Sequence, residues 1–379
     1  MRINVRKESV DKRMPDVMEY KCPACGGAME FDSKTQKMKC PYCDTEMEVE
    51  AFRNVQEQTS REKASSDNTK KDAWQTEENR QWQEGEADNI RIYACESCGG
   101  EIAAEESTGA TTCPFCGNRV VIKGKFSDDL KPDYIIPFQL DKKAAKNAYY
   151  NHLKGKAFLP KVFKDENHID EIKGVYVPFW LFDVDANADV TYHAENVSIS
   201  RRGNKEYTET RHYMVHRAGH MSFDHIPADG SKKMEDSLME AIEPFDFSQA
   251  VPFQTAYLAG YVADRYDVTR EECIERARER VKHSAEDAMR QTVAGYSSVI
   301  PNKSYVGVDR VHSNYVLYPV WLLNTTWKGK RFTFAMNGQN GKMVGDLPAD
   351  NGAFWRFVLL GGAGAGLVIN LIMWLIKLL

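Results

Sequence analysis

The sequence predicts an α+β protein with two small four-cysteine zinc ribbons, a pseudo-duplicated antiparallel sheet domain with helices on one face, and one C-terminal transmembrane helix. Three observations predict it. Eight of the nine cysteines fall into four C-x-x-C pairs. A strand–helix–strand pattern occurs twice between residues 126 and 350. The stretch 357–376 carries no charge and is long enough to cross a bilayer.

The ribbons come first, at residues 18–51 and 91–125. Cys22-Pro-Ala-Cys25-Gly-Gly and Cys40-Pro-Tyr-Cys43 make one set; Cys95-Glu-Ser-Cys98-Gly-Gly and Cys113-Pro-Phe-Cys116-Gly make the other. Fourteen residues separate the two pairs in each set, and each second-set cysteine follows its counterpart by 73 residues, so the module is duplicated. A C-x-x-C turn aims two sulfurs at one ion, and Gly26, Gly99 and Gly117 permit the positive φ that the turn needs. Two such turns close a tetrahedral site of four sulfurs with no open position, which fits structural Zn2+ rather than catalysis. The start of the chain, MRINVRKESVDKRMPDV, lacks an apolar core, so no secretory signal is expected there. In a reducing compartment thiols at this spacing are metal ligands, not disulfide partners.

Residues 52–90 link the ribbons. They are rich in Gln, Glu, Lys, Asn and Ser and poor in aliphatic residues, so a flexible linker is expected, with Trp74 and Trp82 as its large apolar groups.

The domain at 126–350 has two similar halves. Asp133-YIIPFQL, DKKAAKNAYYNHLK and VYVPFWLFDVDANADV are answered by Gly260-YVADRYDV, TREECIERARERVKHSAEDAMRQTV and VLYPVWLLNTTWKGKRFTF. Pro178/Trp180 and Pro319/Trp321 mark corresponding strands. Asp141 is placed to cap the first helix, with Ala144, Ala145, Ala148 and Tyr149 facing inward. Thr269 and Glu272 form a capping box for the second, with Ile274, Ala277, Val281, Ala285 and Ala288 as its apolar stripe. Residues 338–342 read as a glycine-rich hairpin turn, since the phosphate-loop spacing is missing.

No catalytic constellation emerges, and the chain is expected not to be an enzyme. His212, His216 and His220 lie in a β-like segment, where successive histidines stand roughly 13 Å apart, too far to share one ion. Asp183, Asp185, Asn187 and Asp189 resemble half of a calcium loop, but Ala188 and Ala194 occupy positions that need Gly and Glu. Cys273 stands near a helix start with no histidine near it in sequence and reads as a buried thiol.

The transmembrane helix is placed at 355–377, with Trp355 and Trp374 near the interfaces and Arg356 and Lys377 flanking the apolar run. So close to the end, the span implies tail anchoring. Gly362, Gly366 and Asn370 are candidate helix–helix contacts, because small residues allow close approach and an amide can bond across; homo-oligomerisation follows. A mean hydropathy of -0.54 fits a mainly soluble remainder. A formal charge of -5 gives no global field toward nucleic acid, although the ribbons' Lys34, Lys37, Lys39, Arg119, Lys123 and Lys125 keep nucleic-acid binding as the alternative function.

Together, CPACGG…CPYC, CESCGG…CPFCG, YVPFWLFD, QTAYLAGYVADRY, TVAGYSS and FAMNGQNGKMVGDLP resemble the YdjG-like bacterial double zinc-ribbon membrane proteins, a TFIIB-type zinc-ribbon group, over nearly the whole chain. Two ribbons and an anchor without a catalytic constellation lead to a membrane-tethered adaptor or scaffold, and the resemblance implies its membership in an envelope-stress module. It further implies PspA-like and SPFH-domain partners; the terminal span and the reduced cysteines lead to a single-pass location in the cell membrane, with the N-terminal bulk in the cytoplasm. Only the eight cysteines carry over as site residues.

Overall fold

Apolar residues dominate the first third of residues 173–202 and the last half of 298–327, and alternation with polar residues continues beyond. Each segment forms a strand of 30 residues, and the rest of the fold is arranged around this pair. A computed structural model describes residues 20–51, 82, 87, 90–105, 112–125, 130–156 and 158–378. In chain order its main elements are β1 (Glu30–Asp32), β2 (Lys37–Lys39), β3 (Glu46–Met47), β4 (Ile90–Ala94), β5 (Glu101–Glu105), β6 (Val121–Lys125), β7 (Tyr134–Ile135), α1 (Lys142–Leu153), β8 (Lys173–Arg202) and β9 (Lys205–Asp229). There follow α2 (Asp236–Ile242), β10 (Val251–Pro252), β11 (Val262–Asp264), α3 (Arg270–Gln291), β12 (Ser298–Trp327), β13 (Lys330–Asn337), β14 (Met343–Val344) and α4 (Asn351–Leu378).

β8 and β12 run antiparallel from Glu195↔Ser298 to Lys173↔Leu322. On the outer edge of β8, β9 pairs from Arg202↔Lys205 to Phe179↔Asp229; β11 takes the edge that β9 leaves, parallel at Val262↔Val175. The outer edge of β12 is filled in the same way, by antiparallel β13 and by parallel β7 at Tyr134↔Val316. The sheet is thus mixed rather than purely antiparallel, because two short strands complete the edges beyond the ends of the hairpin partners. From β11 the sheet continues through β5, β4 and β6, whereas β1–β3 form a separate three-stranded sheet.

Where β8 crosses the centre, residues 175–182 are all buried. Tyr176, Trp180 and Phe182 enter one core and Val177, Phe179 and Leu181 the other, as the two-residue period dictates. A sheet apolar on both sides needs cover on both. α1 and α3 cover the first side and α2 the second, so the helices are not confined to one face. Beyond residue 183 the three strands β9, β8 and β12 project as a ribbon, backed by the far end of α3 through Ala188, Val190, Tyr192, Ala285 and Met289.

α3 carries the expected capping box: Thr269 Oγ1 accepts from Glu272 N at 3.3 Å, and Glu272 Oε2 accepts from Thr269 N at 2.9 Å. Its buried stripe is Cys273, Ala277, Val281, Ala285 and Met289. Ala288 is exposed, because the series of four-residue steps starts at Cys273 rather than Ile274 and arrives at Met289. α4 starts on Asp350, whose Oδ1 accepts from Gly352 N at 3.0 Å. Phe158 packs edge-on against Phe354 and Phe357, at 5.3 and 5.5 Å, and joins the root of α4 to the sheet domain.

Candidate metal centres

Each C-x-x-C turn is built by its own backbone. Gly26 N donates to Cys22 O at 2.8 Å, Gly99 N to Cys95 O at 2.8 Å and Gly117 N to Cys113 O at 2.9 Å. The φ angles of these glycines are 74°, 71° and 75°. The fourth turn makes the same bond from Asp44 N to Cys40 O at 3.0 Å, with Asp44 itself at φ 56°. The left-handed position is therefore common to all four turns, and only one tolerates a side chain, of a type that adopts αL more readily than most.

The turns bring the cysteines together as the spacing predicts. Cys22 and Cys43 sulfurs lie 3.5 Å apart, Cys25 and Cys40 3.5 Å, Cys95 and Cys116 3.4 Å, and Cys98 and Cys113 3.7 Å. These separations are far longer than an S–S bond of about 2.05 Å. They approach the sulfur separation of a tetrahedral ion with bonds of about 2.3 Å. The electrostatics agree. Burial opposes ionisation of Cys22, yet backbone N–H groups of Cys25 and Ala24, with Cys43 and Thr45, bring it down to about 6. Cys25, despite the Gly27 N–H, is pushed up to about 12 by the neighbouring sulfurs of Cys40 and Cys43. Four thiolates this close repel one another, and a cation between them removes the conflict. The donor set fits two metal ions, each enclosed by four sulfurs.

The second glycine of each C-G-G has a different function. A Cβ on Gly27 would meet the Tyr42 ring at 2.5 Å, and one on Gly100 would meet the Phe115 ring at 3.3 Å. In each ribbon an aromatic from the opposing turn closes over this glycine. Tyr42 is 76% exposed, whereas Phe115 is buried, with Lys233 over its ring.

The two ribbons are attached differently. Ribbon two is hydrogen-bonded into the large sheet through β5 and β11, from Val262↔Ala104 to Asp264↔Ile102. Arg331 also donates to Phe115 O at 3.2 Å and Lys173 to Thr112 O at 2.7 Å. Ribbon one rests on the sheet domain by side chains and one strand-like bond: Phe31 N donates to Ala259 O at 3.1 Å, Phe31 meets Tyr257 edge-on at 5.1 Å, and Lys34 pairs with Asp141 at 2.7 Å.

Beside ribbon two lies a buried charged group that the sequence did not disclose. Lys233 Nζ pairs with Asp264 at 2.8 Å and Asp267 at 3.3 Å. Burial raises Asp264 to about 6 even with Lys233 beside it, and burial, reinforced by Asp264, raises Asp229 to about 8. No spacing rule links Lys233 to Asp264; β9, which leads to Lys233, and β11, which ends at Asp264, meet on the same edge of β8.

Cys273 is buried, donates to Asp229 O at 3.4 Å and is pushed up to about 12 by burial, so it has no reactive thiolate. Trp82 packs edge-on against Phe253 at 5.7 Å, while Trp74 and most of the 52–90 linker lie outside the described residues. Asp183, Asp185, Asn187 and Asp189 all sit on β8, and residues 338–342 form the turn between β13 and β14. On α4, Gly362 and Gly366 have open space at their Cα atoms, and Asn370 Nδ2 donates to Gly366 O at 2.9 Å within its own helix. The helix from Asn351 to Trp374 is long and apolar enough to cross a membrane, and none of its most apolar window is buried against the rest of the chain.

No family model and no solved structure matches this chain. It is similar to a protein of Bacillus subtilis (strain 168) described as "Uncharacterized protein YdjG", 33% identical over 350 residues, which are 91% of this chain and 95% of the relative. An identity of that level across nearly all of both chains makes this chain a member of the YdjG family.

Proposed function

We propose that the protein is a membrane-tethered adaptor, with two structural zinc ions bracing a body that docks cytosolic partners at the bilayer. One observation carries this reading: an apolar helix, none of whose most apolar window is buried, leaves from a folded body that holds two closed sulfur cages. Closed cages of four sulfurs leave no position for water, which supports a structural role, and soft thiolates in tetrahedral array favour zinc, as in TFIIB-type ribbons. Tyr42, exposed at the tip of ribbon one, supplies an aromatic contact for a partner. The family resemblance points to PspA-like and SPFH-domain proteins in an envelope-stress module. In this reading α4 is a tail anchor, the bulk of the chain is cytoplasmic, and Gly362 and Gly366 provide a face for self-association.

Nucleic-acid binding has less support. Lys34, Lys37, Lys39 and Lys123 are all engaged by carboxylates, of Asp141, Glu48, Asp44 and Glu101. We also infer that the sheet domain is an internal duplication. Pro178↔Leu317 and Tyr176↔Pro319 exchange under a local twofold, as do the parallel pairings Ile135↔Leu317 and Ala263↔Tyr176.

The test compares the full chain with one ending before Asn351. After crosslinking in cells, the full chain is expected in the membrane fraction, together with a PspA-like or SPFH-domain protein, and the shortened chain in the soluble fraction. Recovery of neither partner with the membrane-bound chain overturns the adaptor reading. A gel shift that weakens steeply with salt would favour the nucleic-acid alternative.

A further inference from the structure

The ribbon formed by β8 and β9 has two unlike faces. Ala188, Val190, Tyr192 and Ala194 are buried beneath α3. The opposite face carries Asp189, His193 and Glu195 from β8 and His212 and His216 from β9, all at least partly open to solvent. Antiparallel register places His212 directly opposite Glu195, and Met214 opposite His193. His212 is thereby the diagonal neighbour of His193, within reach of a long side chain.

Three side chains converge there. His212 Nδ1 lies 3.0 Å from Glu195 Oε1, and His193 Nδ1 lies 3.9 Å from the same oxygen. The two imidazoles are stacked, with centroids 5.3 Å apart and planes within 8°. One donor atom from each of the three residues lies within 4.8 Å of the others. Glu195 has no Lys or Arg ion-pair partner among the described residues, so two imidazoles are what face its charge.

We propose that His193, Glu195 and His212 form a third metal site, for a divalent first-row transition ion that prefers imidazole. Two nitrogens and one carboxylate oxygen are a borderline donor set, suited to zinc, nickel or copper and ill suited to magnesium or calcium, which take oxygen alone. Bonds of about 2.0–2.1 Å around a tetrahedral ion place donors roughly 3.3 Å apart, between the two nitrogen–oxygen distances present here. Side-chain rotation closes the difference, and the backbone stays fixed because α3 holds the reverse face of β8. A shift of the imidazole proton to Nε2 frees Nδ1 for the ion without changing the charge of the ring. Three protein ligands leave positions open toward solvent, for water or for a donor from another molecule. The site thus differs in kind from the sulfur cages, which are closed on all four sides.

The test uses the full chain in detergent with both cages filled with zinc. Equilibrium dialysis against Zn2+ is expected to give three ions per chain, and Glu195→Gln or His212→Ala to weaken the third by about tenfold or more, since loss of even an outer partner of a ligand costs that much. His220→Ala, on the same strand but opposite Asn187, is expected to leave it unchanged. Co2+ added to the zinc-filled protein is expected to give visible ligand-field bands without the thiolate charge-transfer band of a sulfur cage. Two ions per chain in the unmodified protein overturns the proposal. So does a third ion whose affinity is the same in Glu195→Gln and His212→Ala, or one whose cobalt spectrum carries the thiolate band.

Discussion

Asp229 is 3% exposed, and its two carboxylate oxygens have different surroundings. Oδ1 accepts from Ser231 N at 3.0 Å, while Oδ2 is buried without a hydrogen-bond partner. Burial, with Asp264 and Asp236 adding repulsion, raises its pKa to about 8. An unfolded chain releases this proton near pH 3.9, at about the ordinary Asp value. Between those limits the folded state holds a proton that the unfolded state has lost. The group's contribution to stability is therefore complete below about pH 3.9, declines as pH rises, and is lost above the folded pKa of about 8. Asp229→Asn keeps the shape and the Ser231 bond and removes the titration. Urea midpoints measured from about pH 5 to pH 8 are expected to fall for the wild type relative to the variant as pH rises. Parallel curves would show that Asp229 is not protonated in the folded protein. Nothing in the sequence marks this residue, because its burial depends on β9, β11 and α3 meeting around it.

Elements whose rules are local were legible, and those that depend on pairing were not. The Thr269–Glu272 box, the Asp141 cap and the C-x-x-C turns each need only neighbouring residues, and all are present. The stripe of α3 was legible but displaced, since Ile274 and Cys273 are both apolar and only the packing surface selects between their rows. The lengths of β8 and β12 were hidden by polar residues that look like loop: Asp183, Asp185, Asn187 and Asp189 occupy the open face of a strand whose other face α3 buries. The approach of His193 and Glu195 to His212 requires the register of β8 on β9, which no spacing within one strand reveals. Thr269→Ala tests how far α3 depends on its own terminus. Loss of the cap is expected to cost about 1 kcal/mol, read as a lower urea midpoint at unchanged slope. A change of slope instead would mean that α3 and the ribbon it backs no longer unfold with the rest of the body.

At the scale of the whole molecule, the two chemically equivalent ribbons are joined to the body by unequal means. The strands of ribbon one pair only with each other, in a sheet of three; Phe31, Met38, Cys22 and Cys40 pack into the main core, but no strand of the large sheet lies on their edges. So small a unit depends on its ion for most of its stability. Ribbon two shares the main sheet: β5 is held by β11 on one edge and β4 on the other. Duplication of the cysteine spacing suggests equal modules, yet Tyr42 remains exposed where Phe115 is buried, because only the second ribbon continues the large sheet. Removal of metal by a chelator is therefore expected to act unequally. Amide hydrogen exchange in β1–β3 should rise to the rate of an unfolded segment, including at Phe31, whose N–H donates to Ala259 O at 3.1 Å only while ribbon one is folded. Amides of β5 that donate to β4 or β11 should keep most of their protection, with the rise confined to the turns around Cys95–Gly100 and Cys113–Asn118. Equal loss of protection in both ribbons would mean that the ion, and not the continuity of the sheet, holds ribbon two against the body. Retention in both would mean that neither ribbon needs its metal to stay folded.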